Sequence, residues 1–123
     1  MTKRELYKSL NNLCCKMQEF YNINNGGCCF VAAVIAEQLE TYNIPFYVAV
    51  TYCPTHYAIK VKDRYINRDD FNFSPEDFRE WNSQYLYDIY DKGNWNDWYS
   101  KRWNLIVKTR IRSLFLKYEN SRS

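Results

Sequence analysis

The sequence predicts an α+β domain in which two helices precede a small antiparallel sheet and two more helices follow it. Three observations lead there. Apolar residues recur at steps of three and four at both ends of the chain, whereas β-branched and aromatic runs fill the middle. The chain of 123 residues has 12 Tyr, 7 Phe and 4 Trp, enough large side chains for one core. With only three Gly and three Pro there is little room for linkers or low-complexity stretches, so residues 1–123 are read as a single domain.

Leu6, Leu10, Leu13, Cys14, Met17, Phe20 and Tyr21 form the core-facing stripe of an amphipathic helix over residues 3–21. Asn22-Ile23-Asn24-Asn25-Gly26-Gly27 ends it in a loop, since Asn and Gly tolerate left-handed backbone. A second, more apolar helix starts at Cys28 or Cys29 and runs to about Tyr42, with Val31, Val34, Ile35 and Leu39 buried and Ala32, Ala33 and Ala36 allowing close packing. Asn43-Ile44-Pro45 stops it, because a residue before proline leaves the helical region. Residues 46–52 read as a buried strand, 56–61 as a second and 64–68 as a third, with Lys62-Asp63 as the tight turn of a hairpin. Ser74-Pro75-Glu76-Asp77 carries an N-cap, a proline at the first helical position and two acids, and predicts a third helix ending near Gly93. Trp98, Trp103, Ile106, Ile111, Leu114, Phe115 and Tyr118 mark a last helix over about 96–118.

No apolar run approaches the roughly 18 residues that cross a bilayer, and the N-terminus enters an amphipathic pattern instead of a signal core. Five cysteines, four of them in the doublets Cys14-Cys15 and Cys28-Cys29, make a poor disulfide framework. Reduced thiols and a cytoplasmic setting are expected. The net charge of +3 names no partner, although seven Lys/Arg against one Glu from Lys101 onward make the end of the chain basic.

The one histidine concentrates the search for chemistry. A thiol opening a helix meets unsatisfied backbone N–H groups and the positive end of the helix dipole, and both favour thiolate. An imidazole beside it accepts the thiol proton and later delivers it to a leaving group, provided a third group fixes its tautomer. With Lys62 and Asp63 in the turn, Ala58 faces Asn67, so Asn67 lies diagonally next to His56 on the neighbouring strand. A turn shifted to Asp63-Arg64 would bring Asp69 there instead. Asn67 needs the shorter turn and is preferred.

Gly26-Gly27-Cys28-Cys29-Phe30-Val31-Ala32-Ala33-Val34, followed by Asn43-Ile44-Pro45 before a strand, resembles the nucleophile helix of transglutaminases, which reads Gly-x-Cys-Trp-Val-Phe-Ala-Ala-Val and ends in Gly-Ile-Pro at the same spacing. It is also similar to the Gly-Ser-Cys-Trp helix start of papain-like proteases and, more loosely, to the Gly-Gly-x-Cys-Phe of arylamine N-acetyltransferases. The resemblance covers residues 22–70 and implies a nucleophile helix packed on a small antiparallel sheet, flanked by the N-terminal helix and by a helical part over 74–118. It implies Cys28, His56 and Asn67 as the catalytic set in the family's chain order, with Asn where transglutaminases have Asp. The ungapped match selects Cys28, whereas a Gly-Gly-x-Cys alignment selects Cys29. Asn22 stands six residues before Cys28, where papain-like enzymes place an oxyanion-hole glutamine; the backbone N–H of Cys28 would complete that hole.

The expected activity is cysteine-dependent acyl transfer from, or hydrolysis of, an amide or ester bond in a protein or peptide, with water or an amine as acceptor and no cofactor. The alternative is a catalytically silent interaction domain on the same fold. Two further readings carry less weight. Cys53-Pro54-Thr55-His56 has the spacing of a zinc half-site that Cys14, Cys15, Cys28 or Cys29 would have to complete, but adjacent cysteines point apart. The basic residues Lys101, Arg102, Lys108, Arg110, Arg112 and Lys117, interleaved with Trp103 and Phe115, would suit nucleic acid, yet such a pattern is more often a solvated helix face. Trp95, Trp98 and Trp103 are read as core or interface anchors.

Overall fold

The computed structural model describes residues 1–21, 28–52, 56–67, 74–81, 84 and 101–121, and for residues 18–21 and 101–104 only the course of the helix. Three helices and one four-stranded antiparallel sheet make up these residues. Asn22, the loop 22–27, Cys53, Asp69, Gly93, Trp95, Trp98 and the expected start of the last helix at 96 lie outside them.

Helix α1 spans Lys3–Tyr21. Thr2 and Glu5 form a capping box at its start: the Glu5 N–H donates to Thr2 Oγ1 at 3.1 Å and the Thr2 N–H to Glu5 Oε1 at 3.5 Å. Leu6, Leu10, Cys14 and Met17 form its buried stripe, as their spacing predicts. Helix α2, Cys28–Thr41, is buried on nearly every side, since Cys28 to Ala36 and Leu39 are all covered. It runs between the sheet and the last helix, so its burial has no single face. Asn43 ends it at φ 56°, with the Ile44 N–H donating to the Leu39 carbonyl at 2.9 Å and the Asn43 N–H to that of Glu40 at 3.0 Å. This is a Schellman motif, and the asparagine supplies the left-handed residue it needs.

Strands β1 (Tyr47–Thr51), β2 (His56–Val61) and β3 (Arg64–Ile66) follow, and Lys62 takes φ 54° in the two-residue turn between β2 and β3. The register Val61↔Arg64, Lys60↔Tyr65, Ile59↔Ile66 is the one expected for a Lys62-Asp63 turn, so the shifted register that would bring Asp69 opposite Ala58 is not formed. Val48, Val50, Ile59, Val61 and Ile66 line the core that also contains α1 and α2. Ala49 and Ala58, on the other face, are covered by Phe78 and Tyr65.

The expected start of the third helix at Ser74 is corrected, while Gln84, farther along the expected span, is helical and residues 82–83 and 85–93 lie outside the described residues. Ser74 does cap a helical start, with the Ser74 N–H donating to Asp77 Oδ2 at 2.9 Å, but only one 3-10 turn forms, Pro75–Asp77. Phe78 is already extended, and Arg79–Trp81 becomes a fourth strand, β4, paired with β1 to give the order β3-β2-β1-β4. Tertiary contacts decide this. Extended backbone places Phe78 against Tyr65 (5.1 Å between centroids) and Glu80 on Lys60 Nζ at 2.6 Å, while Trp81 packs on the main core. A continued helix would leave the β1 edge open in this region.

The last helix, α3 (Lys101–Ser121), buries Val107, Ile111, Phe115 and Tyr118, while Ile106 and Leu114 are only half-buried. Two of its basic residues tie it to α2: Arg112 pairs with Glu37 at 3.4 Å, and Lys108 Nζ lies 5.7 Å from the centre of the Phe30 ring. No helix among the described residues is long and apolar enough to cross a membrane.

The core thiols make stability depend on pH. Burial pushes Cys14 and Cys29 above the ordinary thiol value of 9.0, Cys29 to about 12. Below that ordinary value both stay protonated in either state; above it the unfolded chain loses their protons first, so stability falls as pH rises. The urea midpoint is expected to be flat from about pH 6 to 8 and to fall above about pH 9, and Cys29→Ala is expected to remove about 1.4 kcal/mol per pH unit from that fall.

Candidate functional site

Cys28 is the first residue of α2 and 2% exposed. Burial is the largest influence on its thiol and raises its pKa; the backbone N–H groups of Tyr57, Cys29 and Cys28 itself act on the sulfur in the opposite sense. The favourable backbone environment expected of a helix start is therefore present, but desolvation outweighs it, and the resting thiol keeps its proton at neutral pH. This corrects the expectation of a favoured thiolate. Cys29 is equally covered, with its thiol pushed up to about 12 by burial first and by the neighbouring Cys28 second.

His56 opens β2 and is also 2% exposed. Its Nε2 lies 2.5 Å from the backbone carbonyl oxygen of Asn67. A carbonyl only accepts, so Nε2 carries the hydrogen, and the buried Nδ1 is the nitrogen with the lone pair. Phe78 stands edge-on to the ring, with centroids 6.5 Å apart. Thr51, buried, is opposite His56 in the β1–β2 register.

Asn67 reaches the histidine by its main chain and not by its side chain. The β2–β3 ladder ends at Ile66, and Asn67 turns away at φ 67°. Its Nδ2 donates to the Tyr57 carbonyl at 3.2 Å, and its N–H donates to Asn11 Oδ1 on α1 at 3.2 Å. These two bonds and the left-handed backbone together aim the Asn67 carbonyl at the imidazole. Asn67→Val is expected to lower stability by about 2 kcal/mol in urea denaturation, because a left-handed β-branched residue is strained and Nδ2 is lost. Asn67→Gly keeps the backbone freedom and is expected to cost about 1 kcal/mol or less.

Tyr57 connects the two halves of the site. On a strand, the N–H and C=O of one residue project to the same edge. The Tyr57 carbonyl takes Asn67 Nδ2 and its N–H acts on the Cys28 sulfur, so Asn67 and Cys28 share one edge of β2, where β3 would otherwise have continued. The imidazole, bonded to the Asn67 carbonyl, reaches toward that same edge. Tyr57 thus meets Cys28 through its N–H and Asn67 through its carbonyl, and Asn67 meets His56, all at the beginning of β2.

Asn11 was not among the residues singled out from the sequence. Its signal is a polar residue between Tyr7 and Cys14 at helical spacing, on the border of an otherwise apolar stripe. Asn22, the proposed side-chain donor to an oxyanion, and Asp69 lie outside the described residues. So does Cys53 of the zinc-like spacing; among the described residues no group of three His, Cys, Asp or Glu could hold a metal ion. No protein-family model, curated protein or solved structure matches the chain.

Proposed function

We propose that the chain is a thiol enzyme of the papain/transglutaminase kind, in which Cys28 transfers or hydrolyses the acyl group of a protein or peptide amide or ester. The observation that carries this reading is the main chain of Tyr57, whose N–H acts on Cys28 while its carbonyl holds the asparagine that binds His56. In the first step the Cys28 proton passes to His56 Nδ1 as the sulfur attacks the carbonyl carbon. In the Nε2–H tautomer it is the Nδ1 lone pair that takes that proton, and the resulting imidazolium keeps its hydrogen bond to the Asn67 carbonyl. The oxyanion that forms needs donors, and backbone N–H groups at the start of α2 suit it. The imidazolium then protonates the leaving amine or alkoxide, which departs and leaves a thioester on Cys28. Water or an amine, deprotonated by His56, releases the acyl group and restores the thiol.

A proton-bearing Cys28 is compatible with this chemistry, since transfer to the base accompanies attack. Cys28 is preferred to Cys29 because backbone N–H groups counter the burial of its thiol, whereas the neighbouring sulfur adds to that of Cys29. The second reading, a catalytically silent interaction domain, is favoured by one observation: Cys28 and His56 are each 2% exposed, so a substrate carbonyl must displace what covers them. Intact-mass measurement after brief exposure to p-nitrophenyl acetate at neutral pH separates the two. A single hydroxylamine-sensitive acetyl group mapped to Cys28 supports the enzyme; acetylation confined to the exposed Cys15 supports the silent domain.

A further inference from the structure

The β2–β3 register decides where an extended Asn67 would point. Val61 and Arg64 flank the two-residue turn and form a hydrogen-bonded pair. The kind of pair alternates along the ladder, so Ile59 and Ile66 are hydrogen-bonded again and Ala58 and Asn67 would not be. In a pair of the second kind both residues turn their main-chain N–H and carbonyl away from the partner strand. A ladder continued by one residue would therefore aim the Asn67 carbonyl away from β2 and from His56. The left-handed backbone at φ 67° redirects that carbonyl alone. Ile66 is still in the ladder with its carbonyl toward β2, so the Asn67 N–H of the same trans peptide faces the outer side of β3. Asn11 Oδ1 receives it there at 3.2 Å, from the helix that packs against β3. Asn11 is half-buried in the interior of α1, where asparagine is a poorer helix former than alanine. What it supplies instead is an acceptor for a main-chain N–H outside its own helix.

We infer that Asn11 is a positioning residue for the reaction of Cys28 and His56. It pins the peptide before the left-handed turn, so that the carbonyl after the turn stays on Nε2 and the lone pair stays on Nδ1. The Asn67 side chain is anchored separately, by Nδ2 on the Tyr57 carbonyl. With the peptide plane on one side of the Asn67 Cα and the side chain on the other both held, φ is fixed, and with it the place of the carbonyl carbon. Asn11 acts on the reaction only through Asn67 and the imidazole. Its catalytic consequence rests on the thiol-enzyme reading, whereas its effect on the imidazole does not.

Long-range ¹H–¹⁵N spectra of the single histidine at neutral pH, with nitrophenolate release from p-nitrophenyl acetate measured on the same proteins, test the inference. Asn11→Ala places a better helix former in α1 and removes the acceptor. It is expected to divide the imidazole hydrogen between Nε2 and Nδ1 and, by displacing the base, to lower the rate about tenfold to a hundredfold. Asn11→Leu, close to the amide in size, is expected to do the same. Asn11→Asp keeps an acceptor oxygen and is expected to return the hydrogen to Nε2. Asn12→Ala, at the exposed neighbouring position, should match the parent in both readings. A hydrogen that stays on Nε2 in Asn11→Ala and Asn11→Leu overturns the inference, whatever their urea midpoints. So does a divided hydrogen in Asn12→Ala, or an Asn11→Asp protein that behaves as Asn11→Ala does. A divided hydrogen in Asn11→Ala together with nitrophenolate release that survives Cys28→Ala would keep Asn11 as the residue that orients the imidazole and end the enzyme reading instead.

Discussion

Cys28→Ala is expected to lower the rate of acetyl transfer from p-nitrophenyl acetate at least about a hundredfold, because proton transfer to a positioned base alone contributes roughly 10²–10⁴. Nucleophile and base act as one unit, so His56→Ala should fall nearly as far, and the double variant hardly further. Cys29→Ala should stay within a few-fold of the parent. The contrast follows from the surroundings of the two sulfurs: the Tyr57 N–H acts on Cys28 beside the histidine strand, whereas Cys29 sits in the core with its thiol pushed up to about 12. Stopped-flow nitrophenolate release, followed by peptide mapping of the acetylated chain, measures all of this in a Cys15→Ser background that removes the exposed thiol. Equal rates in the parent and in Cys28→Ala would end the enzymatic reading and leave the interaction domain.

Phe115→Ala should give the largest loss of stability, about 3–5 kcal/mol by urea denaturation, against the roughly 5–15 kcal/mol that holds a domain together. Phe115 is fully buried on α3 and stacks on Tyr42 at 5.6 Å, with Tyr118 edge-on to the same tyrosine at 6.3 Å. Tyr42 Oη also donates to Glu119 at 2.7 Å, so the ring cannot follow a shrinking neighbour without losing that bond. A cavity should therefore persist. Leu116→Ala, one residue along and 54% exposed, is expected to change stability by less than about 0.5 kcal/mol and serves as the comparison.

The helices and the hairpin were legible because their signals are local. The stripe Leu6, Leu10, Cys14, Met17, the proline after Ile44, and the two-residue turn at Lys62-Asp63 each determine structure over a few residues, and the register followed from the turn. The strand Arg79–Trp81 was hidden for the opposite reason. Ser74 and Pro75 are true helix-start signals, but the segment's fate rests on partners far away in sequence, the β1 edge, Tyr65 and Lys60. At the site, residue types and chain order pointed to Cys28, His56 and Asn67. Which atom of Asn67 meets the ring was not readable, because it depends on the left-handed turn after Ile66 and on Asn11 from another helix. Nor was the direction of the Cys28 shift, since spacing says nothing of how deeply a helix start is buried.

With only one histidine in the chain, long-range ¹H–¹⁵N spectra of uniformly labelled protein at neutral pH report on a single imidazole without ambiguity. A hydrogen on Nε2, a bare Nδ1, and a titration midpoint that moves when Cys28 is replaced by alanine are the expected result. A hydrogen on Nδ1, or titration curves that coincide in the two proteins, would contradict the pairing of thiol and imidazole.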